Sequence, residues 1–172
     1  PKPSSAASDV YKRQVDGGYI LVAGGTYGHR LLFNLVSDLE LDRVVLQTGR
    51  VDPKPYVERH PEWTAFQFDP DFGRWLAKAS VVVSSLGKTV LDAALTYRKP
   101  TVIVPNPEWL WARSRDVWRD ARLLAGKLNA VVVEELSPKA LLEAIEEAKR
   151  RKPPAYPNGA ERLAKEILEV LG

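Results

Sequence analysis

Short apolar runs rich in β-branched residues alternate along the chain with segments in which apolar residues recur every three or four positions. The first pattern is typical of buried strands and the second of amphipathic helices. Six segments have the strand pattern, and the fourth of them, Ser-Val-Val-Val-Ser, is typical of a strand buried on both faces. The predicted strands are Tyr19–Ala23, Arg43–Gln47, Thr64–Phe68, Ser80–Ser84, Thr101–Val104 and Ala130–Val133.

Helical patterns separate these strands and close the chain. The predicted helices are Arg30–Leu39, Phe72–Ala79, Lys88–Tyr97, Arg113–Leu128, Pro138–Arg150 and Ala160–Leu171. Ser137 supplies an N-cap for the fifth helix, and a proline-rich linker, Lys152–Gly159, precedes the last. Because strands and helices alternate in this way, the sequence predicts an α/β fold, a Rossmann-like parallel sheet with helices on both faces.

The first fourteen residues do not share this pattern. Ser4–Gln14 resembles, over its whole length, the in-frame translation of a transposon-based sequencing adapter. We therefore interpret residues 1–14 as an extraneous, disordered tail and residues 15–172 as one domain, and we expect the natural chain to continue upstream. A natural tail of small residues is the alternative. The tail carries three cations against one acid, so its removal lowers the net charge from +3 to +1, and no nucleic-acid partner is expected.

Composition excludes several kinds of site. The chain has no cysteine, so neither a disulfide framework nor a thiolate metal site is available. No apolar run is long enough to span a bilayer, and we expect a cytoplasmic protein, with a peripheral position at the cytoplasmic membrane face as the alternative. Asp69-Pro70-Asp71 has the spelling of a metal-binding Asp-x-Asp motif. We expect it to form a turn that caps the next helix, so no metal site is predicted.

A glycine-rich loop, Gly24–His29, joins the first predicted strand to the first helix. Ligands of such sheets bind beyond the carboxyl ends of the strands, and glycines let a ligand approach the backbone amides at the start of a helix. A diphosphate is the expected ligand, with a hydroxyl from Thr26 and a second donor from His29; a tight connection that binds nothing is the alternative. The candidate diphosphate-binding residues of this loop are Gly24, Gly25, Thr26, Gly28 and His29.

This loop does not match the dinucleotide-binding fingerprint. That motif needs Gly-x-Gly-x-x-Gly and an acidic residue at the end of the second strand. Here the second strand ends in Gln47-Thr48-Gly49, and Asp52 comes only beyond it. A nicotinamide-dependent oxidoreductase is therefore disfavoured, although it stays an alternative.

A second informative loop, Ser84–Asp92, follows the fourth strand. Its Gly87-Lys88-Thr89 lacks the glycine that a P-loop needs five positions earlier, where Val82 stands. We expect this segment to form a helix N-terminus that faces the same crevice as the first loop and binds diphosphate. Asp92, one turn further, would accept hydrogen bonds from ribose hydroxyls; stabilisation of the helix by its charge is the alternative. The candidate diphosphate-binding residues of this loop are Ser85, Gly87, Lys88 and Thr89.

Several segments together carry a family resemblance. The first is Gly-Gly-Thr-x-Gly, directly after the first strand. The others are Gln47-Thr48-Gly49, Phe68–Phe72, Ala79–Asp92 and Ala93–Pro105. Their order and spacing resemble the C-terminal domain of family 28 glycosyltransferases over most of residues 19–145. The combination is more specific than any one segment.

The resemblance implies a GT-B fold, of which this chain is the C-terminal half, and a hexosyltransferase. An N-terminal domain or a membrane-anchored subunit would bring the lipid-linked or glycan acceptor. The donor would be a UDP-sugar, in the first place UDP-N-acetylglucosamine, with no cofactor and no metal in this half. Uracil would lie near Phe68 and Asp69, the diphosphate at the helix that starts near Lys88, and the ribose at Asp92. No catalytic residue of the chain is identified.

Three positions depart from the family pattern. Leu86 stands where the family has glycine, Asp92 replaces the usual glutamate, and the Asp-x-Gln that contacts the sugar is missing from Asn106–Asp116. These differences make a non-catalytic or degenerate nucleotide-sugar-binding module the main alternative to an active glycosyltransferase.

Overall fold

A computed structural model describes residues 18–108, 116–156 and 159–171 of the chain. The predicted tail, residues 1–14, lies outside the described residues, as does most of the segment in which the sugar-contacting motif was sought. In chain order the elements are β1 (Tyr19–Ala23), α1 (Arg30–Ser37), β2 (Val44–Gln47), α2 (Lys54–Arg59), β3 (Thr64–Phe66), α3 (Phe72–Lys78), β4 (Ala79–Ser84), α4 (Lys88–Leu91, continued by a π-helical turn, Asp92–Thr96), β5 (Thr101–Ile103), α5 (Val117–Leu128), β6 (Val131–Val132), α6 (Pro138–Lys149) and α7 (Gly159–Leu171).

Six strands form one parallel sheet in the order β3-β2-β1-β4-β5-β6. The chain runs outward from β1 to β3, crosses back to β4 beside β1, and continues to β6. Its direction of travel therefore reverses between β1 and β4, and the loops that follow these two strands border a crevice at that point. The predicted α/β, Rossmann-like fold is confirmed.

Alternate residues of the strands supply a hydrophobic core on each face of the sheet. In β1, Ile20 and Val22 join a core with α1, α2 and α6, whereas Tyr19 and Leu21 join a core with α3. Trp75 of α3 fills the second core, and the Tyr19 hydroxyl donates to its carbonyl at 2.7 Å. Burial raises the pKa of Tyr19. The two cores fix the positions of the strand ends from which the crevice loops emerge.

Two element boundaries differ from the predicted ones in ways that matter for the crevice. β3 ends at Phe66 rather than Phe68, since its paired register with β2 ends at Gln47 and Phe66; beyond this pair, the Gly49 N–H still donates to the Gln67 carbonyl at 3.2 Å. Phe68 consequently lies in a loop beyond the sheet. Ala79 belongs to β4 rather than to the preceding helix, since it pairs with Tyr19 of β1.

The sequence patterns did not predict α2. Its Pro55 stands in the first helical turn, where proline is tolerated because the N–H groups there need no intrahelical acceptor. Tyr56 anchors this helix in the first core, with its ring edge-on to Phe33 at 5.6 Å. Ser137 caps α6 as predicted, since its hydroxyl accepts the Ala140 N–H at 3.3 Å.

The last helix, α7, is exposed along its whole length. Its apolar side chains are exposed to solvent, among them Leu163 (58%), Ile167 (49%) and Leu171 (78%). Of the helices in the described part of the chain, none combines the length and the apolar character needed to cross a membrane.

Candidate functional site

Two adjoining cavities lie at the carboxyl end of the sheet, in the crevice between the loops after β1 and β4. The β3-side cavity has a volume of about 750 Å³, and the β5-side cavity has a volume of about 670 Å³. Both are lined by Gly25, Thr26, Lys88 and Thr89. The structure therefore brings the two candidate diphosphate loops together along the edge that the cavities share.

The first two glycine amides of the β1 loop already have acceptors within the protein. The Gly24 N–H donates to the Gln47 carbonyl at 2.9 Å, and the Gly25 N–H donates to Gln47 Oε1 at 3.0 Å. The Gln47 side-chain amide also donates to the Gly25 and Gln67 carbonyls at 3.2 and 2.9 Å. The predicted use of the Gly24 and Gly25 amides as phosphate donors therefore does not fit this geometry.

Two glycines of this loop, Gly24 and Gly28, serve close packing instead, whereas a Cβ at Gly25 would meet no atom within 4 Å. A Cβ at Gly28 would stand 2.6 Å from the Thr48 carbonyl oxygen, and a Cβ at Gly24 would stand 2.3 Å from the ring of Phe33. Across from them, a Cβ at Gly49 would stand 2.1 Å from the Gly25 carbonyl oxygen. The β1 loop is thus pressed against the chain segment that follows β2, and it forms a firm wall of the crevice.

His29 lies inside the fold rather than in the crevice. Its Nδ1 accepts the Leu32 N–H at 3.3 Å and so caps α1, which leaves Nε2 to donate to the Val104 carbonyl at 3.3 Å. The side chain is fully buried, and burial lowers the pKa of His29 to about 4, against the opposing effect of the backbone hydrogen bonds to Val104 and Pro105. The predicted role of His29 as a second phosphate donor is therefore corrected: it is a neutral N-cap that ties α1 to the end of β5.

The loop after β4 presents a more open surface. Gly87, at the N-cap of α4, has φ 151° and ψ −167°, and no side chain caps the helix. Lys88 and Thr89, at the start of α4, line the shared edge, and the first N–H groups of a helix have no intrahelical acceptor. Ser85 is buried beneath them but lines the β5-side cavity. An anion at this edge would meet a helix N-terminus and an exposed ammonium group.

Asp92 lies one turn into α4 on the wall of the β3-side cavity. Its carboxylate accepts a hydrogen bond from Lys88 Nζ, and its side chain is only one-third exposed. Its carbonyl accepts the Tyr97 N–H at 3.0 Å, five residues on, so the π-helical turn begins at Asp92. π-helical turns interrupt α-helices often at functional sites, and this one was not predicted from the apolar spacing.

Phe68 and Asp69, the other candidate nucleoside-binding residues, differ sharply in the exposure of their side chains. The Phe68 ring is 80% exposed on the wall of the β3-side cavity. The Asp69 carboxylate instead accepts the Asp71 N–H at 2.9 Å, the Arg74 guanidinium at 2.6 Å and the Trp75 indole N–H at 2.8 Å. This carboxylate is therefore held within the protein, although Asp69 still lines the β3-side cavity. The predicted place of uracil near Phe68 and Asp69 stays a prediction.

These contacts make Asp69-Pro70-Asp71 a turn in front of α3. The sequence had likewise favoured a turn over a metal-binding motif at this position. Asp71 stands at the N-cap position of α3, and the Asp69 carboxylate is only 11% exposed. Within the described ranges, no group of three or more acidic or histidine side chains is arranged to hold a metal ion.

Arg50, Tyr27 and Glu108 are among the residues of the crevice that escaped the sequence analysis. Arg50 lines the β3-side cavity and lies 4.9 Å from the centre of the Tyr27 ring, in a cation–π contact that bridges the rim. Tyr27 and Glu108 line the β5-side cavity. Arg50 directly follows Gln47-Thr48-Gly49 at the end of β2, so its position at the carboxyl edge of the sheet was the signal that could have identified it.

Comparison with known proteins shows which family this chain matches. Residues 19–170 match the glycosyltransferase family 28 C-terminal domain. The fold is similar to that of MurG from Acinetobacter baumannii, with a TM-score of 0.60, 18% sequence identity, and coverage of 89% of this chain and 52% of that chain. It is also similar to a glycotransferase of kitacinnamycin, with a TM-score of 0.58, 21% identity, and coverage of 81% of this chain and 36% of that one. No curated protein sequence matches the chain.

These two structures are longer than the present chain. The chain spans 52% of the first and 36% of the second. At these identities the likeness is one of fold, and the family match covers nearly the whole described chain.

Proposed function

Because the chain belongs to the glycosyltransferase family 28 C-terminal domain, we propose that it binds a UDP-sugar as the donor half of a GT-B glycosyltransferase. One observation carries this proposal: two cavities of ligand size meet at an edge made by a helix N-terminus, a lysine and a glycine loop, at the reversal point of a parallel sheet. This is where open α/β sheets bind their ligands.

The nucleoside fits the β3-side cavity best. The exposed Phe68 ring offers a face on which uracil stacks, and the Asp92 carboxylate offers two oxygens to the ribose hydroxyls. Both residues line this cavity. Arg50 also lines this cavity and adds positive charge to it.

The diphosphate fits the shared edge, and the sugar fits the β5-side cavity. At the edge, the amides of Gly87, Lys88 and Thr89 and the Lys88 ammonium group would stabilise the negative charge that grows on UDP as the glycosidic bond breaks. The β1 loop would form the facing wall, with the Thr26 hydroxyl as its polar contribution. Electrostatic stabilisation of the leaving group, without a metal ion, is then the part of catalysis that this chain performs.

The rest of the reaction belongs to a second domain or subunit. The resemblance implies that it carries the lipid-linked or glycan acceptor and the catalytic base, and a lipid-linked acceptor would bring the complex to the cytoplasmic membrane face. UDP-N-acetylglucosamine is the donor that the family likeness favours. A non-catalytic UDP-sugar-binding module is the second candidate, because Leu86 occupies the wall of the β5-side cavity where the family has glycine.

Calorimetric titration of the full chain tests the proposal. We expect UDP and UDP-N-acetylglucosamine to bind and NAD not to bind. Lys88→Gln should weaken UDP binding by about tenfold, because a hydrogen bond to a charged group contributes on the order of 1.5–3 kcal/mol. Binding of NAD, or of no UDP species in the millimolar range, would contradict the proposal.

Lys54→Gln is the matched control. Lys54 also forms an i,i+4 ion pair on a helix, with Glu58, but it lines neither cavity. UDP affinity should stay within about twofold of the original in this variant, since screening leaves little long-range attraction. An equal loss in both variants would mean that Lys88 acts only through the overall charge.

A further inference from the structure

Two oppositely charged side chains of the β3-side cavity are bonded to each other. Lys88 Nζ donates to Asp92 Oδ2 across one turn of α4. Both residues line the β3-side cavity, and Lys88 also lines the β5-side cavity, whereas Asp92 does not. The ion pair therefore connects the shared edge, where the diphosphate is proposed to bind, with the wall on which the ribose is proposed to bind.

This contact occupies an acceptor atom that the ribose would use. An ammonium group only donates hydrogen bonds, and the vicinal hydroxyls of a ribose also donate when they bind a carboxylate. If the two hydroxyls bind the two carboxylate oxygens of Asp92, one of them competes with Lys88 for Oδ2. The ion pair and the ribose therefore exclude each other in part.

Lys88 can leave Asp92 at little cost. Its side chain is 85% exposed, and the four-carbon stem of a lysine is flexible. Exposed ion pairs of this i,i+4 kind are weak, whereas a hydrogen bond between an ammonium group and a phosphate oxygen is among the stronger ones. A diphosphate at the shared edge thus offers Lys88 a better partner than Asp92, and a free nucleoside offers it none.

We propose that the Lys88–Asp92 ion pair makes nucleoside binding depend on phosphate: the diphosphate draws Lys88 to the shared edge, and this releases the Asp92 carboxylate to the ribose. The inference rests on the proposed function and adds to it how the site distinguishes UDP from uridine. Uridine has to break the ion pair and leaves Lys88 without a new partner, whereas UDP supplies one.

NMR-detected titrations of the full chain and its Lys88→Met variant with uridine and with UDP test this coupling. Methionine is of similar length but has neither a charge nor a hydrogen-bond donor. We expect uridine to bind about threefold more tightly to the variant, because no ion pair has to be broken. UDP should bind about tenfold more weakly, because the contact with the phosphate is lost.

The opposite signs of the two effects distinguish the coupling from a general change in affinity. Dideoxyuridine, which lacks both ribose hydroxyls, serves as the ligand control, and its affinity should not rise in Lys88→Met. The matched control variant is Lys54→Gln, which removes another i,i+4 ion pair outside the cavities; it should alter the affinity for neither uridine nor UDP.

Thermal unfolding would establish that both variants are folded. Absence of a gain in uridine affinity in Lys88→Met, or an equal gain for dideoxyuridine, would overturn the coupling while leaving UDP binding intact. Failure of the original chain to bind UDP would instead contradict the proposed function.

Discussion

The two loops that border the crevice are both glycine-containing connections from a strand to a helix, yet Gly24 and Gly28 of the first loop differ from Gly87 of the second. In the β1 loop, the amides of Gly24 and Gly25 donate to Gln47, and the space beside Gly24 and Gly28 is filled by neighbouring atoms. In the loop after β4, a Cβ at Gly87 would meet no atom within 4 Å. Gly24 and Gly28 are thus packed against the protein, whereas Gly87, like Gly25, has open space beside it and lines a cavity.

This contrast shows two structural reasons for which a glycine can stand in a loop. Glycine permits a close approach of the backbone, and the partner in that approach is either another part of the chain or a ligand. In the β1 loop the partner is the segment Thr48–Val51 after β2. Donor recognition should therefore depend mostly on the start of α4, and stability should depend mostly on the β1 loop.

The largest expected effect is on stability, in Gly49→Ala. The new Cβ would stand 2.1 Å from the Gly25 carbonyl oxygen, a backbone atom, at a residue with φ 61°. Overpacking and left-handed backbone strain together should lower the free energy of unfolding by about 3 kcal/mol. Denaturant titration measures the change.

Gly87→Ala is the matched substitution in the open loop. The methyl group would find free space, although φ 151° strains any other residue, so we expect a loss of only about 1 kcal/mol. Equal destabilisation by the two substitutions would contradict the contrast between a packed loop and an open one.

A smaller effect should appear as pH dependence at His29. Burial lowers its pKa to about 4 in the folded chain, so the unfolded chain binds more protons below pH 6.5 and the contribution of His29 to stability is lost as the pH falls. In His29→Asn, which keeps an N-cap side chain, this part of the dependence should vanish. The difference in unfolding free energy between the two proteins should shrink by about 2 kcal/mol from pH 7 to pH 5.

Denaturant titrations at the two pH values measure that difference, in which the carboxylates common to both proteins cancel. A difference that stays constant or grows as the pH falls would mean that His29 is accessible to protons in the folded chain. It would then be available to a phosphate in the crevice after all.

The fold was predictable from the sequence because its signals are local and repeated. The runs at Tyr19–Ala23 and Ser80–Ser84 are apolar on both faces, and the intervening helical periodicity leaves a parallel sheet as the way to bury them. The end of β3 was not predictable in this way, since it depends on where β2 stops. The helix α2 was missed because Lys54–Arg59 is too short for a helical spacing of apolar residues to appear.

The candidate site was predictable in position and less so in detail. The two loops meet at the crevice because strand ends in a parallel sheet share one edge. The role of His29 was wrong because its side chain was assigned to a ligand, whereas it caps α1 and contacts the Val104 carbonyl, a partner distant in the sequence. Glu108 was missed because its place in the β5-side cavity depends on tertiary contacts, whereas Arg50 was missed although its position just after β2 signalled the carboxyl edge of the sheet.

Amide NMR shifts during a titration with UDP test the central claim most directly, which is that the diphosphate binds where the start of α4 meets the β1 loop. We predict that the largest shifts fall on the amides of Gly87, Lys88 and Thr89, with smaller ones at Thr26 and almost none at Gly24, whose N–H is held by Gln47. Saturable binding with the α4 amides unmoved would contradict the account.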